Sequence, residues 1–145
     1  MRLRLFILLA LVTLFGCGKP YKVAPVSGKV TLDGKPLPKA TVTFVPMATK
    51  EDQSPGPTSH GGTDEDGRFP LSLSVAPPTP GSVVGKSRVY ISTVLSDPAP
   101  DDRDAGGPVK RVKDKVPEKY NLKTELAFVV PPEGTDKADF DLTSK

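Results

Sequence analysis

The chain has 145 residues, 20 basic and 17 acidic, a formal charge of +3, one cysteine, one histidine and no tryptophan. That length suits one domain and leaves little room for a second. A lone cysteine excludes an intrachain disulfide framework, one histidine excludes a multi-histidine zinc site, and no basic stripe with interleaved aromatics favours nucleic acid.

The first element, residues 1–16, has the three parts of a secretory signal. Arg2 and Arg4 form a basic start, Leu5 to Phe15 is apolar apart from Thr13, and Gly16 is small. The run is short of the roughly 20 apolar residues a membrane-spanning helix needs. Leu14-Phe15-Gly16-Cys17 resembles the lipobox of bacterial lipoproteins. The resemblance implies cleavage before Cys17, acylation of that cysteine (palmitate among the chains), export across the inner membrane and anchorage in the cell envelope. Where the host has two membranes, Gly18 in place of an aspartate implies the outer one. Phe15 is bulkier than the family's residue at that place, which implies slow processing. Cleavage by an ordinary secretory peptidase and an uncleaved anchor are the competing readings. Lipidation also explains why an exported chain keeps one thiol.

Without residues 1–16 the count falls to 18 basic against 17 acidic, a net charge of +1. Residues 17–25 read as a short linker; the eight residues Gly18 to Pro25 span at most about 26 Å, which holds the domain close to its membrane.

Residues 26–145 read as one all-β domain. Pro and Gly cluster around short segments of alternating polarity, the signature of strands joined by loops. Val26, Gly28, Val30 and Leu32 share one parity and mark the first strand, ended by the turn pair Asp33-Gly34. Ala40, Val42 and Phe44 mark a second, stopped by Pro46. Phe69, Leu71 and Leu73 mark a third, Val89 and Ile91 a fourth, Leu126, Phe128 and Val130 a fifth, and Ala138, Phe140 and Leu142 the last. Further edge strands are expected within 110–122. Two sheets packed face to face accommodate such strands best.

Residues 26–46 (VSGKVTLDGKPLPKATVTFVP) and 63–69 (TDEDGRF) resemble the carboxypeptidase regulatory-like domain. Pro117 to Asn121 and Phe140 to Leu142 resemble the C-terminal half of small bacterial lipoproteins built on it. The resemblance covers most of residues 24–142 and implies a transthyretin-like (prealbumin-like) β-sandwich of about seven strands. In that family the domain does no chemistry itself, and this chain carries no accompanying peptidase domain.

Candidate sites are few. Asp33-Gly34 and Asp66-Gly67 read as turns with glycine at positive φ. Asp64-Glu65-Asp66-Gly67 fails as an EF-hand loop, because Gly62 and Leu73 stand where acids are required. The acidic cluster Asp97, Asp101, Asp102 and Asp104 reads as a solvated loop. His60, in a loop expected over 47–62, lacks a legible nucleophile and orienter. Gly81 to Gly85 is not a nucleophile elbow, since it precedes a strand. Lys110, Arg111, Lys113 and Lys115 read as a strand edge that lysines protect from aggregation. Tyr120 is a candidate stacking platform for a sugar.

No catalytic, metal or cofactor set emerges. The expected function is a non-enzymatic, membrane-anchored envelope lipoprotein presenting a β-sandwich as an interaction or structural module, held by acylated Cys17 and meeting an envelope protein or glycan. The alternative is a glycan- or small-ligand-binding domain using the long loops 47–62 and 95–108, with Tyr120 and His60 as contacts. A hydroxyisourate hydrolase related to transthyretin is disfavoured, because the several histidines of those enzymes are missing here.

Overall fold

The computed structural model describes residues 21–50, 55–94 and 113–145. The chain is all-β. Among the described residues twelve short strands form, in chain order β1 (Val23–Ala24), β2 (Ser27–Leu32), β3 (Lys35–Pro36), β4 (Thr41–Pro46), β5 (Ser59–Gly62), β6 (Arg68–Pro70), β7 (Ser72–Leu73), β8 (Thr79–Pro80), β9 (Ser82–Val83), β10 (Gly85–Ser92), β11 (Ala127–Val130) and β12 (Phe140–Leu142). One sheet runs β11-β10-β4-β5-β7-β8, a second runs β12-β2-β3 with β6 also on β2, and β1 and β9 form a small pair.

Alternation dictates which side chains meet. Val26, Val30, Val42, Phe44, Phe69, Leu71, Val89, Ile91, Val130, Ala138, Phe140 and Leu142 are all buried in one core. These are the inward positions the sequence parity marks, because every second residue of a strand points the same way. The two sheets meet through aromatic rings. Phe44 of the six-stranded sheet lies 6.1 Å from Phe140 of the other, edge to face, and Phe128 lies 6.1 Å from Phe140. Phe69 stacks on Phe140 at 6.4 Å. Such pairs contribute about 0.5–1.5 kcal/mol each beyond their buried area.

Several boundaries differ from the sequence reading. The linker over 17–25 contributes strand β1, which pairs with β9. The second strand ends at Pro46 as expected, but Pro46 is itself part of it, buried opposite Ser87. The single strand read through Phe69 to Leu73 is shared between sheets: β6 pairs β2, and β7 pairs β5. Leu71 is the crossing point, its N–H bonded to Val26 O while its carbonyl accepts from Gly81 N–H. The loop expected over 47–62 ends in strand β5, antiparallel to β4. Its Gly61 is required by packing, since a Cβ there would stand 2.0 Å from Pro70 O. Between Lys113 and Leu122 the chain forms no strand but a single 3-10 turn, Glu118–Tyr120. The last strand, β12, runs parallel to β2.

Candidate functional site

The outer face of the six-stranded sheet carries a row of side chains set by register. Tyr90 of β10 faces Thr43 of β4, Thr43 faces His60 of β5, and His60 faces Ser72 of β7. Over the Tyr90 end of this row the chain returns at Lys113 and runs to Leu122, enclosing a groove of about 740 Å³. Thr43, Tyr90 and Ser92 form its floor; Val116, Pro117, Asn121 and Leu122 form its wall. That volume lies within the range of roughly 300–1,000 Å³ common to small-ligand sites. Leu122 stands at the rim with 82% of its surface exposed. The groove offers an aromatic ring and apolar walls, and Lys113 and Glu118 also line it.

Asp114 builds that wall. Its carboxylate accepts from Ser92 Oγ at 2.5 Å, Thr93 Oγ1 at 2.7 Å, Thr93 N at 3.0 Å, Val116 N at 2.9 Å and Asn121 Nδ2 at 3.0 Å. Partial burial pushes its pKa up, but the hydrogen bonds from Ser92, Thr93 and Val116 together outweigh this and hold it below the ordinary aspartate value. A carboxylate has about four lone-pair sites, so these donors saturate it. Asp114 is a clamp between the end of β10 and the 113–122 segment, with no capacity left for acid–base work on a ligand.

The residues singled out from sequence fall in separate places. His60 is exposed on β5, its Nδ1 2.8 Å from Ser74 Oγ, which also accepts from Thr58 Oγ1 at 3.3 Å. A histidine beside a serine is two parts of a nucleophilic arrangement, but among the described contacts no group orients the ring from its other nitrogen. Tyr120 packs against the core, and its hydroxyl accepts from Thr143 N at 3.2 Å. Hydrogen bonding with Thr143 holds its phenol below the usual value, and the Lys119 ammonium sits 4.9 Å from the ring centre. Neither His60 nor Tyr120 lines the groove, so the structure does not bring them together as one site.

Both glycine turns form. Asp33 (φ 51°) and Gly34 (φ 78°) join β2 to β3 as a two-residue loop. Positive φ at both residues is the hairpin geometry that Asp-Gly favours. Asp33 also accepts from Ser144 N at 2.9 Å, the chief cause of its lowered pKa. In the second turn Asp64 Oδ1 accepts from Asp66 N and Arg68 N at 3.0 and 2.8 Å, and Gly67 takes φ 73°. Among the described residues no group of three or more His, Cys, Asp and Glu is placed to hold a metal ion. Cys17, the acidic cluster at 97–104, the loop 95–108 and Lys110 with Arg111 lie outside the described residues.

Two structurally important hydroxyls escaped the sequence reading. Thr63 Oγ1, buried, donates to Leu37 O at 2.7 Å and accepts from Ala40 N at 2.8 Å, stitching the β3–β4 connection to the start of the second turn. Ser59 Oγ donates to Ser82 Oγ at 2.9 Å inside the molecule. Ser59-His60-Gly61-Gly62 has no alternation of polarity to announce that strand; its order, Ser59 and Gly61 buried against exposed His60 and Gly62, comes from the fold.

Compared with family models, with curated proteins and with solved structures, the chain shows no match.

Proposed function

We propose that this chain is a non-enzymatic, lipid-anchored lipoprotein of the cell envelope whose β domain, transthyretin-like in its arrangement, serves as an interaction or structural module. The observation that carries this reading is the junction between signal and fold. The lipobox-like Leu14 to Cys17 is followed after only five residues by strand β1 at Val23. A lipidated Cys17 would therefore hold the domain directly against the membrane. Two or three acyl chains, at about 0.8 kcal/mol per buried methylene, suffice for stable attachment. The placement of the acidic residues supports the same reading: Asp33, Asp64 and Asp114 accept hydrogen bonds that fix turns and a loop. The test is labelling with radioactive fatty acid. We expect label on the wild-type chain, none on Cys17→Ala, and release of that variant from membranes; unchanged retention of Cys17→Ala in the membrane fraction would overturn the anchor.

A second reading is favoured by the groove, namely a small saccharide or similar ligand stacked on Tyr90. It moves the binding site from Tyr120 to the sheet face. A glycan-array signal lost in Tyr90→Ala and kept in Tyr120→Ala would support it; the reverse pattern, or no signal, would remove it.

A further inference from the structure

Resting on the lipoprotein reading above, we infer that one end of the β domain is itself a membrane-docking face, built from Tyr21, Lys22, Met47, Lys86 and Val129 and fitted to anionic lipid headgroups.

Chain length supplies the first argument. Four residue steps separate Cys17 from Tyr21, a reach of at most about 14 Å at about 3.3–3.6 Å per residue. The acylated cysteine sits in the interfacial layer, roughly 5–7 Å thick on each side of the hydrocarbon. Whatever surrounds Tyr21 is therefore held within about one Debye length of the headgroup surface, near 8 Å at physiological salt.

The structure fixes what surrounds it. The Tyr21 ring lies against Gly56, and Val83 approaches the same glycine. Lys22 O accepts from Val84 N at 2.9 Å, and Lys86 O accepts from Met47 N at 2.9 Å. Lys86 pairs directly with Val129 across β10 and β11, so both side chains project from the same face. Lys22 and Lys86 are exposed, and among the described residues the cleft they line contains no aspartate or glutamate. Lys50, Glu51 and Asp52 follow Met47 in sequence and together carry a net charge of −1, smaller than the +2 of Lys22 and Lys86.

Val129 supplies the second argument. It has 64% of its surface exposed on a strand whose alternate residues, Phe128 and Val130, turn to the core, and it stands beside a lysine at the end of the molecule from which the tether leaves. An apolar residue, an amphipathic tyrosine and two lysines are the composition of an interfacial contact. Each lysine at an anionic surface contributes about fivefold in binding, the pair about 25-fold.

Cys17 is the only cysteine in the chain, so a second one introduced by substitution is the sole free thiol of the lipidated protein. The experiment places Val129→Cys or, as reference, Glu65→Cys in the full-length lipidated chain on vesicles containing 30% phosphatidylglycerol. Glu65 lies in the exposed turn near the start of β4, about 17 Å from the Pro46 end at about 3.4 Å per residue. Reaction with a water-borne maleimide should be on the order of tenfold slower at position 129 than at 65 on these vesicles. The difference should collapse in Lys22→Glu/Lys86→Glu and on pure phosphatidylcholine, while the protein still sediments with the vesicles. Equal rates at the two positions with full sedimentation, or protection surviving the double charge reversal, overturn the docking face and leave the anchor intact. Protein that stays in the supernatant with an unmodified Cys17 overturns the anchor, and the docking face with it.

Discussion

Asp114 shows how one side chain fixes a loop. Five donors from four residues converge on its carboxylate, and hydrogen bonds to a charged acceptor contribute about 1.5–3 kcal/mol each when they are not replaced by water. Removing it therefore frees the 113–122 segment from β10. Asp114→Ala is expected to lower stability by about 2–4 kcal/mol in urea denaturation. The pH dependence follows from its depressed pKa, together with that of Asp33. The unfolded chain binds the proton more readily than the folded one, so the contribution is fully present above the unfolded value of about 3.9 and is lost as pH falls through the lower folded value. The urea midpoint should be flat from pH 7 to about 5 and fall below about 4, and the fall should be shallower in Asp114→Asn. A profile in Asp114→Asn as steep as wild type would remove Asp114 from the account. None of this was legible beforehand. Ser92, Thr93 and Asn121 are unremarkable polar residues, and only the path of the chain makes them neighbours of Asp114.

At the scale of elements, the two Asp-Gly turns look alike in sequence and differ in surroundings. Gly34 has φ 78° and nothing within 4 Å of where a Cβ would stand, whereas at Gly67, φ 73°, a Cβ would lie 2.4 Å from Val30 O. Left-handed geometry alone costs a non-glycine residue about 1–2 kcal/mol. Gly34→Ala should lose about that much. Gly67→Ala should lose at least about twice as much, because the clash is with backbone that cannot rotate away. Thermal melts of the two variants measure this; equal losses would show that the turn at Gly67 shifts to relieve the contact. The same contrast marks the reach of sequence reasoning. The parity of Val26 to Leu32, Ala40 to Phe44 and Ala138 to Leu142 was readable because a two-residue period and a buried face leave little choice. The handover at Leu71 was not, since alternation continues unbroken from Phe69 to Leu73 while the pairing partner changes. Strand β5 was hidden for a different reason. Ser-His-Gly-Gly has almost no β propensity, and Gly61 is there for close approach to β6.

For the whole molecule, the order in which strands are made and the order in which they pair are far apart. β2 is the first long strand, yet one of its neighbours is β12, the last, in parallel register from Val30 with Phe140 to Leu32 with Leu142. The contacts spanning the chain are specific. Lys29 N donates to Asp139 Oδ1 at 2.9 Å, Thr31 Oγ1 donates to Asp141 Oδ1 at 2.6 Å, and Ala138 N donates to Ser27 O at 3.1 Å. Gly28 is bare because a Cβ there would stand 2.0 Å from Ala138 O. Phe140 touches three of the other core phenylalanines, Phe44, Phe69 and Phe128. Deleting residues 138–145 thus removes three buried side chains, the aromatic hub between the sheets and one edge of β2 together. Losing a buried phenylalanine alone costs about 3–5 kcal/mol and a buried leucine about 2–5, against a total stability of about 5–15 kcal/mol for a domain of this kind. The truncated chain should show no cooperative transition in circular dichroism or fluorescence melts and should be digested throughout by a nonspecific protease. Deleting only residues 143–145 removes exposed contacts such as Ser144 N to Asp33 and should keep a single transition with a slightly lower midpoint. A cooperative melt in the longer deletion would mean that β2, β3 and β6 hold their sheet without β12, and that the core closes before the C-terminus joins it.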